Sequence, residues 1–177
     1  QHRRRQEADR VSEVIDDLER CYLAAQRILH YRFNSEAELR RKLRSKKFDA
    51  ETIDATIAKL RNEKWLDDDR FAGAFTRTRS RKNIGAKRIR RELHAAGVSS
   101  ETASRALAEN IDPDEERERL MAAANRRARV LSRKHGPEFL GTDEGRNKLT
   151  VWLLNQGYDG ALVADVVREL AKLKIEN

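Results

Sequence analysis

The sequence has few of the residues that cross-link or interrupt a fold. It contains one cysteine, Cys21, two prolines and eight glycines in 177 residues. A single cysteine cannot form an intramolecular disulfide, which excludes a disulfide-stabilised scaffold and makes the reducing cytoplasm the expected location. No apolar run approaches the roughly 20 residues that a membrane-spanning helix needs. The charged residues 1–5, Gln-His-Arg-Arg-Arg, do not resemble a secretory signal, so we expect no membrane association.

Motifs that would support catalysis are also missing. There is no glycine-rich phosphate loop, and none of the four histidines has a partner at i+4 for metal binding. Cys21 lies beside the apolar Tyr22 and Leu23, a setting typical of a small core residue rather than a nucleophile. We therefore expect a protein that is not an enzyme and that binds no metal and no cofactor.

What the sequence does contain favours helix throughout. Ala, Arg, Glu, Leu and Lys dominate, and all five are good helix formers. Charged residues make up 38 % of the chain and hydrophobic residues another 38 %, with a formal net charge of +8. These proportions predict an all-α, basic protein with a thin core and much exposed surface.

An internal repeat organises the apolar positions. Shifting residues 35–60 by fifty positions superposes the apolar stripe and the surface arginines without a gap, and a further shift of sixty positions gives a third copy. The matched sets include Leu39, Ile89 and Leu149; Leu43, Leu93 and Leu153; and Gly97 with Gly157. The predicted fold is a tandem array of three-helix repeats, three units in all, which together form an elongated curved body preceded by an extra N-terminal helix.

The repeat assigns boundaries to the whole chain. We expect an N-terminal basic extension over 1–20, repeat 1 over 21–66, repeat 2 over 67–110 and repeat 3 over 111–177. Because three short helices bury little surface, each repeat should depend on its neighbour for stability.

Helix-capping residues recur at matching places. Ser35 with Glu38 has the spacing of a capping box, in which each side chain bonds the other residue's amide. Asp49, Ser99 and Asp112 are the expected N-caps of later helices, the last followed by proline at the first helical position. Gly97 is expected to end a helix in the left-handed conformation.

Positive charge is concentrated on the second helix of each of the first two repeats. Residues 76–97 contain eight basic residues and one acid, and residues 40–47 contain six basic residues and no acid. A third basic cluster lies within 126–134. The candidate contact residues for a polyanion or an acidic protein surface are Arg40, Arg41, Arg44, Arg77, Arg79, Arg81, Lys82, Lys87, Arg88, Arg90, Arg91, Arg126, Arg127 and Arg129.

These patterns also allow two other interpretations. Basic helix faces can be solvated and paired with acids at i+4, as Arg88 is with Glu92. A base-reading helix-turn-helix would need cations on the helix after Gly97, which offers only Arg105, so phosphate or protein contact is favoured over base readout. Trp152, on a helix that is apolar nearly all round, is read as core, the alternative being a hydrophobic partner surface.

Three segments resemble the RecX family of regulatory proteins. Residues 65–72, Trp-Leu-Asp-Asp-Asp-Arg-Phe-Ala, are similar to its leucine, paired aspartate, Arg-Phe-Ala signature. Residues 35–40 resemble its Ser-x-x-Glu-Leu opening, and residues 85–98 its Gly-x-x-x-Ile-x-x-Glu-Leu segment that ends in Gly-Val or Gly-Ile. The resemblance covers about residues 21–110. Asn83 departs from the pattern, since the family often has glycine there.

The resemblance implies a bacterial modulator of the RecA recombinase. Members of the family are tandem three-helix proteins that lie in the groove of the RecA–DNA filament, limit its growth and damp its strand exchange, ATPase and coprotease activities. The implied partner is the RecA nucleoprotein filament, with single- or double-stranded DNA as a further contact, and we expect a monomer. The alternative is direct, sequence-independent DNA binding through phosphate contacts.

Overall fold

The computed structural model describes the backbone of residues 2–173 and the side chains of residues 14–172. Within that part, the chain forms nine α-helices and one 3₁₀ helix and has no strand, so the all-α prediction is confirmed. The α-helices are α1 (His2–Tyr31), α2 (Glu36–Ser45), α3 (Ala50–Asn62), α4 (Asp68–Arg81), α5 (Ala86–Ala95), α6 (Ser100–Asn110), α7 (Pro113–His135), α8 (Asp143–Asn155) and α9 (Gly160–Leu173), with the 3₁₀ helix (Pro137–Gly141) between α7 and α8.

The expected N-terminal helix and the first helix of repeat 1 form one continuous element. α1 passes through the predicted boundary at residue 20 without a break, because no glycine or proline lies within it. The side chains of residues 1–13, which include most of the predicted basic extension, lie outside the described part. Val14 and Ile15 are exposed, whereas Cys21 and Ala25 are buried, so among the described side chains of α1 those that enter the core begin at Cys21.

The predicted N-caps are present. The Ser35 hydroxyl accepts from the amide of Glu38 at 3.1 Å, and an Asp49 carboxylate oxygen accepts from the amide of Thr52 at 2.8 Å. Ser99 and Asp112 cap their helices in the same way. Each bond satisfies one of the amides that a helix leaves unpaired at its start.

One half of the expected capping box is replaced by an ion pair. The carboxylate of Glu38 lies 3.3 Å from the guanidinium of Arg32 instead of returning to the amide of Ser35. A charge-assisted contact is stronger than a bond to a neutral amide, and α1 ends close enough to supply the arginine. The sequence pattern predicted the N-cap at Ser35 but not that Arg32 would compete for the carboxylate of Glu38.

Repeat 1 and repeat 3 each have an apolar core of buried residues. In repeat 1, α1 packs against α2 and α3, and in repeat 3, α7 packs against α8 and α9. The buried residues of the first core are Cys21, Ala25, Leu39, Leu43, Ile53, Ile57, Leu60 and Leu66. Those of the second are Leu120, Ala123, Ala124, Ala128, Leu131, Leu140, Leu149, Leu153, Tyr158, Val163, Val166, Val167 and Leu170. The stripes at i and i+4 that predicted the helices therefore form their buried faces.

The turn between the second and third helix of every repeat has the same backbone geometry. Lys47, Gly97 and Gly157, which the repeat superposes, have φ of 72°, 84° and 91°. This left-handed conformation suits glycine and is unfavourable for lysine because of its Cβ. Asn83 also has positive φ, 58°, and asparagine is among the residues that tolerate it, so this loop takes a glycine-like shape without glycine.

The start of α2 is held by residues from repeat 2. The Ser35 hydroxyl donates to the carbonyl of Ala96 at 2.5 Å, and the amide of Glu36 donates to a carboxylate oxygen of Asp68 at 2.8 Å. Asp67 caps its own helix by accepting from the amide of Arg70 at 2.9 Å. The paired aspartates of the signature therefore have separate tasks, since one begins α4 and the other caps α2.

The start of α5 is held by residues from repeat 3 in the same manner. The amide of Gly85 donates to the carbonyl of Gln156 at 2.9 Å, and the amide of Ala86 donates to a carboxylate oxygen of Glu116 at 3.0 Å. Gly157 lies so close to α5 that an added Cβ would overlap the backbone of Arg88. In both cases the second helix of one repeat begins on the turn and the first helix of the next.

The chain divides into two compact units. The first contains the residues up to Ala72 together with Ala95–Thr102, and the second contains Gly73–His94 together with the residues from Ala103 onward. The glycine turn of repeat 2 thus belongs to the first unit, with the start of α2 that rests on it. The exact repeat boundaries drawn from the sequence stay a prediction.

The turn geometry predicts opposite effects of glycine removal and glycine insertion. Gly157→Ala should lower the free energy of unfolding by more than about 2 kcal/mol, because the left-handed conformation alone costs about 1–2 kcal/mol and the new Cβ must also displace Arg88. Gly141→Ala is the matched control, since an added Cβ there meets nothing within 4 Å. Urea unfolding followed by circular dichroism measures both. Equal midpoints for the two variants would contradict the contact.

Lys47→Gly tests the same geometry from the other side. Removal of the Cβ from a residue at φ 72° should raise the free energy of unfolding by up to about 1 kcal/mol. Lys46→Gly, one residue earlier at φ −84°, removes the same charge from a residue whose backbone is not strained. This control should lower the free energy of unfolding or leave it unchanged. A loss of stability for Lys47→Gly would show that the lysine is not strained.

Candidate basic interface

The cations of α2 differ in how much of their charge is available. Arg40 donates to Glu36 at 3.0 Å and also contacts Asp54, and hydrogen bonding to Asp54 raises the pKa of its guanidinium. Arg41 is exposed and lies 3.4 Å from the carbonyl of Ala95. Arg44 is exposed and forms no ion pair with any described side chain. Of the three predicted contacts on this helix, Arg44 is therefore the most available to a partner.

Glu92 neutralises two of the predicted contacts on α4 and α5. Its carboxylate oxygens accept from Arg79 at 2.5 Å and from Arg88 at 3.0 Å. Burial alone would raise the pKa of Glu92, but the two arginines outweigh that effect and hold the pKa below its usual value. The bond from Arg79 joins the last turn of α4 to α5, so the pair of helices is fixed around this carboxylate.

Three more of the predicted contacts are bound by residues distant in sequence. Lys87 lies 2.8 Å from a carboxylate oxygen of Asp159. Arg77 donates to the side-chain oxygen of Asn110 at 2.6 Å, and Arg90 donates to the hydroxyl of Ser104 at 2.7 Å. Hydrogen bonds to neutral groups orient Arg77 and Arg90 without cancelling their charge, whereas Asp159 does cancel the charge of Lys87.

Arg81, Lys82 and Arg91 are exposed, and no carboxylate among the described side chains pairs with them. Arg81 and Lys82 lie at the C-terminal end of α4, where the helix dipole favours positive charge. Arg91 lies on α5 beside Glu92, whose oxygens are already occupied. This set of three, which we call the α4–α5 cation set, is a part of the predicted interface whose charge is exposed and unpaired and is therefore available to a polyanion.

The arginines of α7 divide in the same way. Arg126 and Arg129 are exposed, without an ion pair in the described part of the chain. Arg127 is half-buried, with its guanidinium 5.5 Å from the ring centre of Trp152. Trp152 packs against the core of repeat 3, in line with its interpretation as core, while Val151 on the same helix is 48 % exposed. Arg127 therefore serves the packing of α7 on α8.

The sequence found the cations but not the groups that bind them. Glu92 was visible as an i+4 partner of Arg88, yet its bond to Arg79 spans 13 residues. Asp159 and Asn110 lie 72 and 33 residues from the cations they bind, and no periodicity joins such positions. The exposed aromatic residues at the end of α1 also escaped the pattern analysis, because helical spacing does not separate an exposed ring from a buried one.

No described group of histidine, cysteine or carboxylate side chains is arranged to hold a metal ion. Cys21 is fully buried, and burial raises the pKa of its thiol, which disfavours the reactive thiolate. Over the described residues, every helix lacks either the length or the hydrophobicity needed to cross a bilayer.

Comparison with known proteins identifies the family. Residues 21–60 match the model of the first three-helix domain of RecX, and residues 67–107 match that of the second. The regulatory protein RecX of Serratia proteamaculans is 32 % identical over 171 residues, which cover 84 % of this chain and 96 % of that protein. This chain belongs to the RecX family. RecX of Escherichia coli O7:K1 is 37 % identical over 158 residues, covering 83 % of this chain and 89 % of that one.

Solved RecX structures share the fold. The crystal structure of RecX from Lactobacillus salivarius superposes with a TM-score of 0.74 at 24 % identity, covering 90 % of this chain and 99 % of the other. A second RecX crystal structure gives a TM-score of 0.78 at 20 % identity, covering 94 % and 77 %. Tandem helical repeats are therefore the architecture of this RecX chain, and its family is one of regulatory proteins.

Glu92 offers a direct test of the charge balance. Glu92→Gln releases Arg79 and Arg88, so retention on heparin should move to higher salt than in the wild type. Glu144→Gln is the matched control, because it removes the same charge from an exposed carboxylate that pairs only with Lys148. Equal retention of the two variants would place the Glu92 region outside the interface.

The same variant has a defined pH dependence. Because the pKa of Glu92 lies below its ordinary value of 4.5, its pairing stabilises the fold above that pH and is lost as pH falls through the lowered pKa. The wild type should lose more stability on acidification below about pH 4.5 than Glu92→Gln does. At neutral pH the variant should be less stable by about 1 kcal/mol, measured by urea unfolding.

Proposed function

We propose that this chain binds the RecA–DNA filament through exposed basic helix faces and restrains the recombinase, ATPase and coprotease activities of RecA. The observation that carries the proposal is the α4–α5 cation set, placed without internal counter-ions on a chain of the RecX family. Arg44, Arg126 and Arg129 are further candidates on the same grounds. The DNA of such a filament is a long polyanion, and a polyanion binds cations that the protein leaves unpaired.

Ion pairs within the chain indicate which of the predicted contact residues are available to the filament. Arg40, Lys87 and the arginines on Glu92 already have carboxylate partners, so reversal of their charge would disturb the fold as well as binding. The α4–α5 cation set has no such role. We therefore assign filament contact first to this set, and assign to the paired cations the positioning of α2 and α5.

A triple charge reversal tests the assignment. Arg81→Glu, Lys82→Glu and Arg91→Glu together should abolish inhibition of RecA's DNA-dependent ATPase while the helical content stays unchanged. The control triple, Arg133→Glu, Lys134→Glu and Lys172→Glu, changes the net charge equally at exposed cations that form no ion pair with a described side chain and are not among the predicted contacts. Inhibition that survives in the first triple, or is lost equally in both, would remove the assignment.

Direct binding to bare DNA is the second candidate function, favoured by the same unpaired cations. It predicts steep salt dependence: if about six phosphates are contacted, affinity should fall about a thousandfold between 50 and 200 mM salt. Binding of labelled DNA with and without RecA distinguishes the two. Weak binding to bare DNA beside strong binding to the filament supports the filament proposal, and equal binding to both supports direct DNA binding.

A further inference from the structure

The exposed aromatic rings in the described part of the chain all lie in the first unit. Tyr31 is 94 % exposed, Phe33 54 % and Trp65 44 %, whereas every other described aromatic residue is buried or half-buried. Tyr31 ends α1, Phe33 follows it by two residues, and Trp65 lies in the turn between α3 and α4. Large aromatic side chains contribute most to stability when buried, so a cluster left in solvent marks a binding surface.

Phe33 and Trp65 line a cleft of about 270 Å³. The guanidinium of Arg70 lies 5.2 Å from the ring centre of Phe33, so one cation is already stacked on this aromatic residue. Two carboxylates also line the cleft, where Glu63 accepts from the hydroxyl of Tyr22 and Asp67 caps α4, and their charges offset those of Lys64 and Arg70. The cleft therefore presents two aromatic faces and no net charge.

Tyr31 lines a second cleft, of about 380 Å³, between α1 and α2. Its apolar floor is formed by Ala24 and Ile28, and no carboxylate lines it. Four cations surround that floor: Arg27, Arg32, Lys42 and Lys46. Burial first and the nearby Arg32 second lower the pKa of Lys42, so an anion placed here would relieve an existing repulsion.

Asn34 connects the two clefts and fixes their geometry. Its side chain is buried, donates to the carbonyl of Arg32 at 2.7 Å and accepts from the ammonium of Lys42 at 2.6 Å. The segment that carries Tyr31 and Phe33 is therefore held in place by hydrogen bonds rather than free to collapse. Such preorganisation reduces the entropy lost when a ligand binds.

We propose that this corner of the first unit binds single-stranded nucleic acid. Tyr31, Phe33 and Trp65 would stack on bases, and the cations of the second cleft would contact phosphates. Aromatic faces beside cations are the recognition pattern of sequence-independent single-strand binding. Arg32 is paired with Glu38, whereas Arg27, Lys42 and Lys46 form no ion pair with any described side chain. A duplex keeps its base faces stacked on one another, so the rings select single strands. This site shares no residue with the α4–α5 cation set, and the inference goes beyond the function proposed above.

Aromatic truncation tests the proposal. A fluorescently labelled oligothymidylate of about 12 nucleotides and a duplex of equal length are titrated with the protein alone, and anisotropy is read. Tyr31→Ala with Phe33→Ala should weaken oligothymidylate binding about tenfold or more and leave duplex binding unchanged. Val130→Ala with Val151→Ala, which truncates side chains 50 % and 48 % exposed, is the matched control and should change neither.

Two further arms separate stacking from folding and from charge. Tyr31→Phe with Phe33→Tyr keeps both rings and should bind as the wild type does. Arg27→Gln with Lys46→Gln should reduce the dependence of affinity on salt, which the aromatic variant should leave unaltered. In a Trp152→Phe background, quenching of the remaining Trp65 fluorescence by oligothymidylate should report the stack directly.

The outcomes are distinguishable from those of the filament experiment, since RecA is absent from every titration. Unchanged oligothymidylate binding by a folded Tyr31→Ala, Phe33→Ala variant would overturn the proposal. Equal weakening for single strand and duplex would also overturn it. If oligothymidylate fails to bind and a glutamate-rich peptide binds instead, the corner is a site for an acidic protein segment and not for nucleic acid.

Discussion

The contact on which the tandem array depends is the one that begins the second helix of a repeat. A helix start leaves amides without partners, and in both α2 and α5 the following repeat satisfies some of them. Asp68 supplies a carboxylate to α2 and Glu116 supplies one to α5, while a backbone carbonyl of the next turn accepts a second bond in each case. Repeats with thin cores are thereby joined through obligatory polar groups as well as apolar surface.

Charge in this protein has both an internal and an external use. Glu92 and Asp159 each bind cations that the sequence counts as surface charge, and the bonds they form join elements far apart in the chain. The exposed, unpaired remainder is smaller than the composition suggests. A basic sequence is therefore a poor measure of basic surface until the internal partners are known.

Local signals allowed much of the fold to be predicted. Ser35, Asp49 and Asp112 each accept from an amide at most three residues further along the chain, so these N-caps can be predicted from the local sequence. Gly97 takes the left-handed backbone conformation that favours glycine. The features that the sequence did not predict depend on contacts outside the local sequence pattern. The Glu38 return bond gave way to Arg32, and the exposed aromatic corner depends on how three separate segments meet, which no single periodicity encodes.

Repeat 3 differs from the other two in how its second helix begins. α8 is capped by the hydroxyl of Thr142 on the amide of Gly145, and Gly145 lies against the carbonyl of Phe139 from the preceding 3₁₀ helix. This helix start is complete without help from a later segment, while those of α2 and α5 are not. Dependence in the array therefore has a direction. As the chain leaves the ribosome, α2 emerges before the Asp68 carboxylate and the Ala96 carbonyl that complete its start, and α5 emerges before Glu116 and Gln156. Each of these helices therefore becomes stable only after the following repeat has been synthesised.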